Sequence, residues 1–360
     1  MTDKLTVAII GCGRLGQHYI EVYNTLPDTE VVALVEPNPG RRQAVGERFG
    51  VDGLFADVEE LYRRMTPDLA AVVLPAKFIQ EAVTASAEAG VRGVSTDKPI
   101  GARLSDVDAM IEACESRGVV FAGGNLVRAM SEVQEAAAWL RAGEFGELRG
   151  AAVHSLSTEI SGGGCQQIAV MRLFTGAEVA EVTAWGSPRE ALESGNDKDL
   201  AINGLFRLSS GIECPVFSSR EPCRGVDAWT DDALVRWSWA LPEIWQGFDA
   251  SGARIRVERP YKPIEYPRFT YLGTSIRSFI DVVRHGGELR ISGRDLLQSL
   301  EVAIAARESA LRNAVPVSLP LQDRSLTLYP TRYRWLGGDN SGREQSVEEA
   351  RTMPLFPHSS

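Results

Sequence analysis

An α/β fold, with an N-terminal Rossmann-type doubly wound parallel sheet followed by an α+β domain bearing an open, largely antiparallel sheet, is predicted by three observations. The first hundred residues alternate short β-branched runs with longer amphipathic stretches, the mark of parallel strands joined by crossover helices. A G-x-G-x-x-G turn directly follows the first run. After residue 125 strands joined by tight turns dominate, and two helices close that half.

The elements follow in order. "LTVAII", "VVALVE", "LAAVVLP" and "GVSTDKP" read as strands, and "HYIEVYNTL", "RRQAVGERFG" and "FIQEAVTASAEAG" as the helices between them. "SEVQEAAAWLRAGEFGEL" is a helix ended by glycine. "NGLFRLSSGIECPVFSS" is two strands about a Ser-Ser-Gly turn, "DALVRWSWAL" alternates strictly, and "GFDASGARIRVE" carries an Asp-Ala-Ser-Gly turn. "TSIRSFIDVVRHGG" and "GRDLLQSLEVAIAARESALRN" are helical. The expected division is a dinucleotide-binding domain over 1–125, a second domain for substrate and oligomerisation over 126–330, and an irregular tail over 331–360.

A chain of 360 residues exceeds the size at which one core stops growing, which agrees with two domains. No apolar run reaches the roughly 18 residues of a membrane span, and no secretory leader is legible in "MTDKLTVAII". A cytoplasmic protein with no membrane partner is expected. The net charge of −10 with scattered Lys and Arg argues against nucleic acid as a partner. The five cysteines show no C-x-x-C spacing, so neither a disulfide framework nor a metal site is implied.

Gly11, Gly13 and Gly16 form the turn. The first permits the tight bend, the second lets a pyrophosphate approach the backbone, and the third lets helix and strand pack closely. Glu36 ends the second strand about twenty residues on, where a carboxylate hydrogen-bonds ribose hydroxyls and repels a ribose phosphate. NAD is therefore expected, with NADP possible because Arg41 and Arg42 stand nearby. Arg14, Leu15, Pro75 and Lys98 complete the expected cofactor contacts. Lys98, with Asp97 and Pro99, leaves the sheet at a strand's carboxyl end, where ligands of open α/β sheets collect. An ammonium placed beside a nicotinamide can hydrogen-bond a carbinol oxygen and handle its proton.

The glycine turn, "TDKPIGARLSDVDAMIEACESRGVVFAGGN", "AWLRAGEFGELRG", "GGGCQQIAVMRLFTG" and "ISGRDLLQSLEVAIAARESALRNAVPVSLP" together resemble the glucose-fructose oxidoreductase, inositol dehydrogenase and MocA family over roughly residues 4–320. The resemblance implies a nicotinamide cofactor, a sugar, cyclitol or related polyol as substrate, and hydride transfer at a secondary alcohol or ketone. Asp97 stands where the family has glutamate in E-K-P, and Lys98 is kept. Members with the last helix pattern read C-H-x-I-D-x-x-R-F-L-x-G; Gln166 and Ala169 replace that histidine and aspartate here. An amide binds a hydroxyl without moving its proton.

Three readings stay open. Lys98 is the acid-base group and Gln166 with Gln167 orients substrate; or His154, on "LRGAAVHSLSTEI", supplies the proton route; or catalysis is lost and the chain senses dinucleotide. Tightly held NAD could also serve redox-neutral glycoside cleavage or epimerisation. Asn125 and Arg128 are further candidate substrate contacts. Val235, Trp237, Trp239 and Leu241 share a strand face by period two, which reads as a buried sheet face covered in a homodimer or homotetramer.

Overall fold

The computed structural model describes residues 4–124, 126–218, 224–262, 269–339 and 341–355. Asn125, and with it one expected substrate contact, lies outside the described residues. The chain forms two compact units: residues 1–125, 266–297 and 332–360 make unit 1, and residues 126–265 and 298–331 make unit 2.

Unit 1 is built on β1 (Leu5–Ile10), α1 (Arg14–Thr25), β2 (Thr29–Val35), α2 (Pro39–Phe49), β3 (Gly53–Phe55), α3 (Val58–Arg64), β4 (Leu69–Val72), α4 (Ile79–Glu88), β5 (Gly93–Thr96), α5 (Leu104–Glu115) and β6 (Val120–Ala122). Its six strands run in the order β3-β2-β1-β4-β5-β6, all parallel. The order reverses between β1 and β4, the place where such sheets open a crevice. Local chemistry starts and stops the helices. Asn38 caps α2 by accepting from the Arg41 N–H, Pro39 occupies its first turn, and Gly50 ends it in the left-handed region.

Unit 2 carries α6 (Ser131–Arg141), β7 (Leu148–His154), α7 (Cys165–Thr175), β8 (Val179–Ser187), α8 (Arg189–Ser194), β9 (Ala201–Leu208), β10 (Glu213–Val216), β11 (Gly225–Thr230), β12 (Ala233–Trp237), β13 (Glu243–Phe248) and β14 (Arg254–Val257). Its sheet adds β15 (Val317–Ser318) in the order β14-β13-β12-β11-β7-β10-β9-β8-β15. Only β7 and β10 pair in parallel. Period-two alternation buries Val153, Val226, Val235 and Trp237 on one face. Trp185 and Leu205, one residue out of phase with buried Ala184 and Phe206, stay exposed. Strand β12 stops at Trp237, and Trp239 and Leu241 beyond it are exposed. The expected four-residue face therefore holds only for Val235 and Trp237; Trp239 adopts a φ of 62°, which breaks the alternation.

Two segments correct the expected domain limits. The helix α9 (Thr270–His285), expected in the second domain, belongs to unit 1. Its apolar stripe Leu272, Ile276, Phe279 and Ile280 joins Tyr19, Tyr23 and Leu26 in one buried cluster. Gly93 makes room for it, since a β-carbon there would lie 2.6 Å from the Phe279 ring. Within α10 (Gly293–Leu311) the boundary passes between Leu297 and Gln298. The expected irregular tail also belongs to unit 1, and it contains α11 (Arg332–Leu336) and α12 (Val347–Thr352). Ser346 and Glu349 close a reciprocal capping box at the start of α12. No described helix is long and apolar enough to cross a membrane.

Candidate active site

Unit 1 encloses a cavity of about 670 Å³ at the carboxyl ends of β1 to β5. Every residue that the sequence assigned to cofactor binding lines it: Gly11, Gly13, Arg14, Leu15, Gly16, Glu36, Arg41, Pro75 and Lys98, with Asp97 beside them. The three glycines meet different demands. Gly11 has a φ of 103°, and a β-carbon there would lie 2.3 Å from the Val73 carbonyl oxygen. A β-carbon on Gly16 would lie 1.9 Å from the Gly11 carbonyl oxygen, so the helix can approach the turn only without one. Around Gly13 nothing stands within 4 Å of that position. The open space sits over the start of α1, whose first turn carries no acidic side chain and offers N–H donors to an anion.

At the other rim Glu36 is 4% exposed. It accepts from the Asn38 N–H at 3.0 Å and the Cys12 N–H at 3.3 Å. Arg41 pairs with it at 3.3 Å and donates to the Gln345 carbonyl at 3.0 Å. Arg42 donates to the carbonyls of Glu36 and Pro37. The two arginines are thus engaged locally, and Arg41 is not the solvated helix residue that its place on α2 suggests. A glycine cradle with open space above Gly13 and a buried carboxylate at the end of β2 fits a dinucleotide with free ribose hydroxyls.

The strand β5 stops at Thr96, Asp97 and Lys98 follow it directly, and the Lys98–Pro99 peptide is cis. Asp97 is buried, accepts from the Tyr19 hydroxyl at 3.1 Å and from the Lys98 N–H at 2.6 Å. Burial pushes its carboxyl above the ordinary range, against the opposing fields of Lys98 and Arg334. Among the described residues nothing hydrogen-bonds the half-buried Lys98 ammonium, which lines the cavity. Burial likewise pushes the Cys12 thiol up, so this cysteine of the cradle is an inert packing group.

In unit 2 the glycine turn before α7 is a single π-turn over Ile160–Gly164. Its first two N–H groups and the Ser161 hydroxyl donate to the fully buried Asp197 at 2.8, 2.6 and 2.7 Å. Burial pushes that carboxyl up to about 7. Gln166 accepts from the Val127 N–H at 2.8 Å. The Gln167 side chain is fully buried; it accepts from the Ser157 N–H at 3.2 Å and donates to the His154 carbonyl at 2.7 Å. Gln167 thus braces β7 through its backbone. Arg128 donates to the Ala169 carbonyl at 3.4 Å, at the place where the family pattern has aspartate.

His154 shares its sheet face with Asp227 and Arg236. Its Nε2 is 3.1 Å from Asp227, which Arg236 grips with two hydrogen bonds. Despite its desolvation, Asp227 is held below the usual carboxylate range by Arg236 and His154. The imidazole therefore sits against the Asp227–Arg236 ion pair on the sheet. Arg172, also buried, is an ion-pair partner of Glu178 at 2.6 Å. Sequence reasoning missed Tyr19, Asp197 and the cavity-lining residues after 331; none sits in a pattern that announces a site.

Comparison with known proteins agrees with this geometry. Residues 5–124 match the model of the oxidoreductase family with an NAD-binding Rossmann fold. D-apiose dehydrogenase of Paraburkholderia graminis is 29% identical over 139 residues, covering 39% of this chain and 37% of that protein. The match thus spans little more than a third of that relative's length. Myo-inositol 2-dehydrogenase of Thermotoga maritima is 27% identical over 334 residues, 85% of this chain and 96% of that one. The structure of an Agrobacterium radiobacter oxidoreductase, in complex with NAD+, L-tartaric acid and magnesium, superposes with a TM-score of 0.72 at 19% identity over 88% of this chain and 98% of that one. The glycine cradle, the buried Glu36 and Lys98 thus stand within residues 5–124, the segment that carries the NAD-binding Rossmann domain of the glucose-fructose oxidoreductase, inositol dehydrogenase and MocA family.

Proposed function

We propose that the chain is an NAD-dependent oxidoreductase acting on a secondary alcohol, or the matching ketone, of a sugar, cyclitol or related polyol. One observation carries this reading: the glycine turn, Glu36 and the Asp97-Lys98 strand end line one cavity. Bound dinucleotide supplies the hydride acceptor or donor. Gly13 leaves room for its pyrophosphate and the start of α1 offers N–H donors, while Glu36 hydrogen-bonds the ribose hydroxyls and disfavours a phosphate there.

In its amine form Lys98 accepts the carbinol proton as the carbonyl forms, and in its ammonium form it returns that proton to the oxygen in the reverse direction. Asp97 is a positioning residue: through the Lys98 N–H and the Tyr19 hydroxyl it fixes the backbone from which the ammonium projects. With Gln166 where the family has histidine, the proton falls to the lysine, because an amide has none to exchange. The engagement of the His154 imidazole by Asp227 supports the same assignment.

The activity is tested by nicotinamide absorbance across a panel of cyclitols, aldoses and sugar acids. Loss of a proton-transfer group lowers kcat by about 10²–10⁴-fold. Lys98→Ala is expected to show that loss with the NADH dissociation constant kept within about threefold, as befits a group acting in the transition state. Full activity in Lys98→Ala refutes the assignment. We further propose that the chain is a homo-oligomer, with the sheet face bearing Trp185 and Leu205 covered by a second copy.

A further inference from the structure

We propose that residues 333–339 and 341–347 form a strap across the dinucleotide site, which must unlatch for the dinucleotide to enter or leave. The inference rests on the cofactor reading above. Residues from both parts of the strap, Arg334, Gly337, Gly338, Glu344 and Gln345 among them, line the cavity. At the lysine end it packs on the turn after β4, where a β-carbon on Gly337 would lie 3.1 Å from the Pro75 ring. Arg334 faces the same cavity as Asp97 and Lys98 and lowers the Asp97 carboxyl through its field. At the Glu36 end, Gln345 receives the Arg41 guanidinium through its carbonyl, and Glu344 lies 3.5 Å from the same group. The strap thus touches both ends of the cradle.

A latch holds it down. The helix α12 follows the strap directly and inserts Ala350, fully buried, into the core of unit 1. Arg48 donates to the Gln17 side chain at 2.8 Å, the Ala350 carbonyl at 3.1 Å and the Met353 carbonyl at 2.7 Å. Around this centre the latch is ionic and solvent-facing: Glu349 pairs with Arg343 at 2.7 Å and with Arg14 at 3.6 Å, and Arg351 with Glu47 at 3.4 Å. Arg14 and Arg41 belong both to the cradle and to the latch, so ligand and strap act on the same cations. The Glu36 end is also left unfinished by protein groups alone. Arg41 Nε and Gln345 Oε1 are buried there without a hydrogen-bond partner among the described residues.

A strap that must open predicts slow exchange in both directions. Loosening the latch then speeds entry and exit together, whereas losing a simple ligand contact speeds exit alone. The experiment loads the full chain with NADH and chases it with excess NAD+. Nicotinamide fluorescence reports dissociation, and stopped-flow mixing reports association. Arg48→Ala is expected to raise both rate constants by about tenfold, the change that one lost charge-assisted hydrogen bond implies. Gly40→Ala is the milder second variant, because its β-carbon would press within 2.9 Å of Val347 at the end of the strap. It is expected to act in the same direction. Unchanged association in both variants, with folding confirmed by circular dichroism, overturns the strap while leaving the cofactor reading intact. Failure of the unaltered chain to bind NADH at all overturns both.

Discussion

Asp197 shows how much one buried carboxylate can decide. It accepts two backbone N–H groups and a hydroxyl from the turn that starts α7, and among the described residues no cation pairs with it. Burial raises its carboxyl to about 7 in the folded chain, well above the 3.8 of an ordinary aspartate. Between those values the folded state holds more protons than the unfolded state, so this group's contribution to stability falls as pH rises from about 4 to about 7. Asp197→Asn removes that dependence, and calorimetric melting from pH 4 to 8 is expected to show a flatter profile for the variant. Parallel profiles refute the account. Asp197 was invisible in "SGNDKDL" because burial is a property of the fold. Gln166 was half legible. Its replacement of a proton-transferring residue could be read directly, but its bond to Val127, 39 residues away, could not.

At the scale of elements, the glycine turn was the clearest feature of the sequence, and its three glycines are separable by experiment. Gly16 is required by packing and Gly13 by the ligand. Gly16→Ala forces a clash with backbone, so chemical denaturation is expected to show a loss of about 1–3 kcal/mol or more, the cost of overpacking. Gly13→Ala is expected to leave the midpoint nearly unchanged while weakening NADH binding at least about tenfold, since a methyl enters the space kept for the pyrophosphate. Equal effects of the two substitutions refute the division of roles. The crossover pattern was equally readable, because strands buried on both faces leave continuous apolar runs such as "LAAVVLP". The helices α11 and α12 were not readable: at five and six residues they are shorter than two turns and show no periodicity. The order of α12 comes from its capping box and from its bonds and ion pair to α2, which sequence spacing does not reveal.

For the whole molecule, the sequence showed two domains but assigned α9 to the wrong one. Its amphipathic stripe states that one face is buried and says nothing about which sheet buries it; Phe279 against Gly93 settles that in favour of unit 1. The exposed face of the unit 2 sheet carries the assembly prediction. A charge on that face is costly to bury against a second copy, so Trp185→Glu is expected to lower the mass measured by analytical ultracentrifugation while the monomer stays folded. An unaltered chain that sediments as a monomer refutes the proposed oligomer. The return of α9 to the first sheet also bears on synthesis. When the ribosome has released only the N-terminal strands and their crossovers, the Tyr19–Tyr23 side of α1 still lacks the apolar stripe of α9, which is made only after residue 265. The nucleotide half therefore matures last although it is made first, and a nascent chain stalled before Thr270 presents a bare aromatic flank to chaperones.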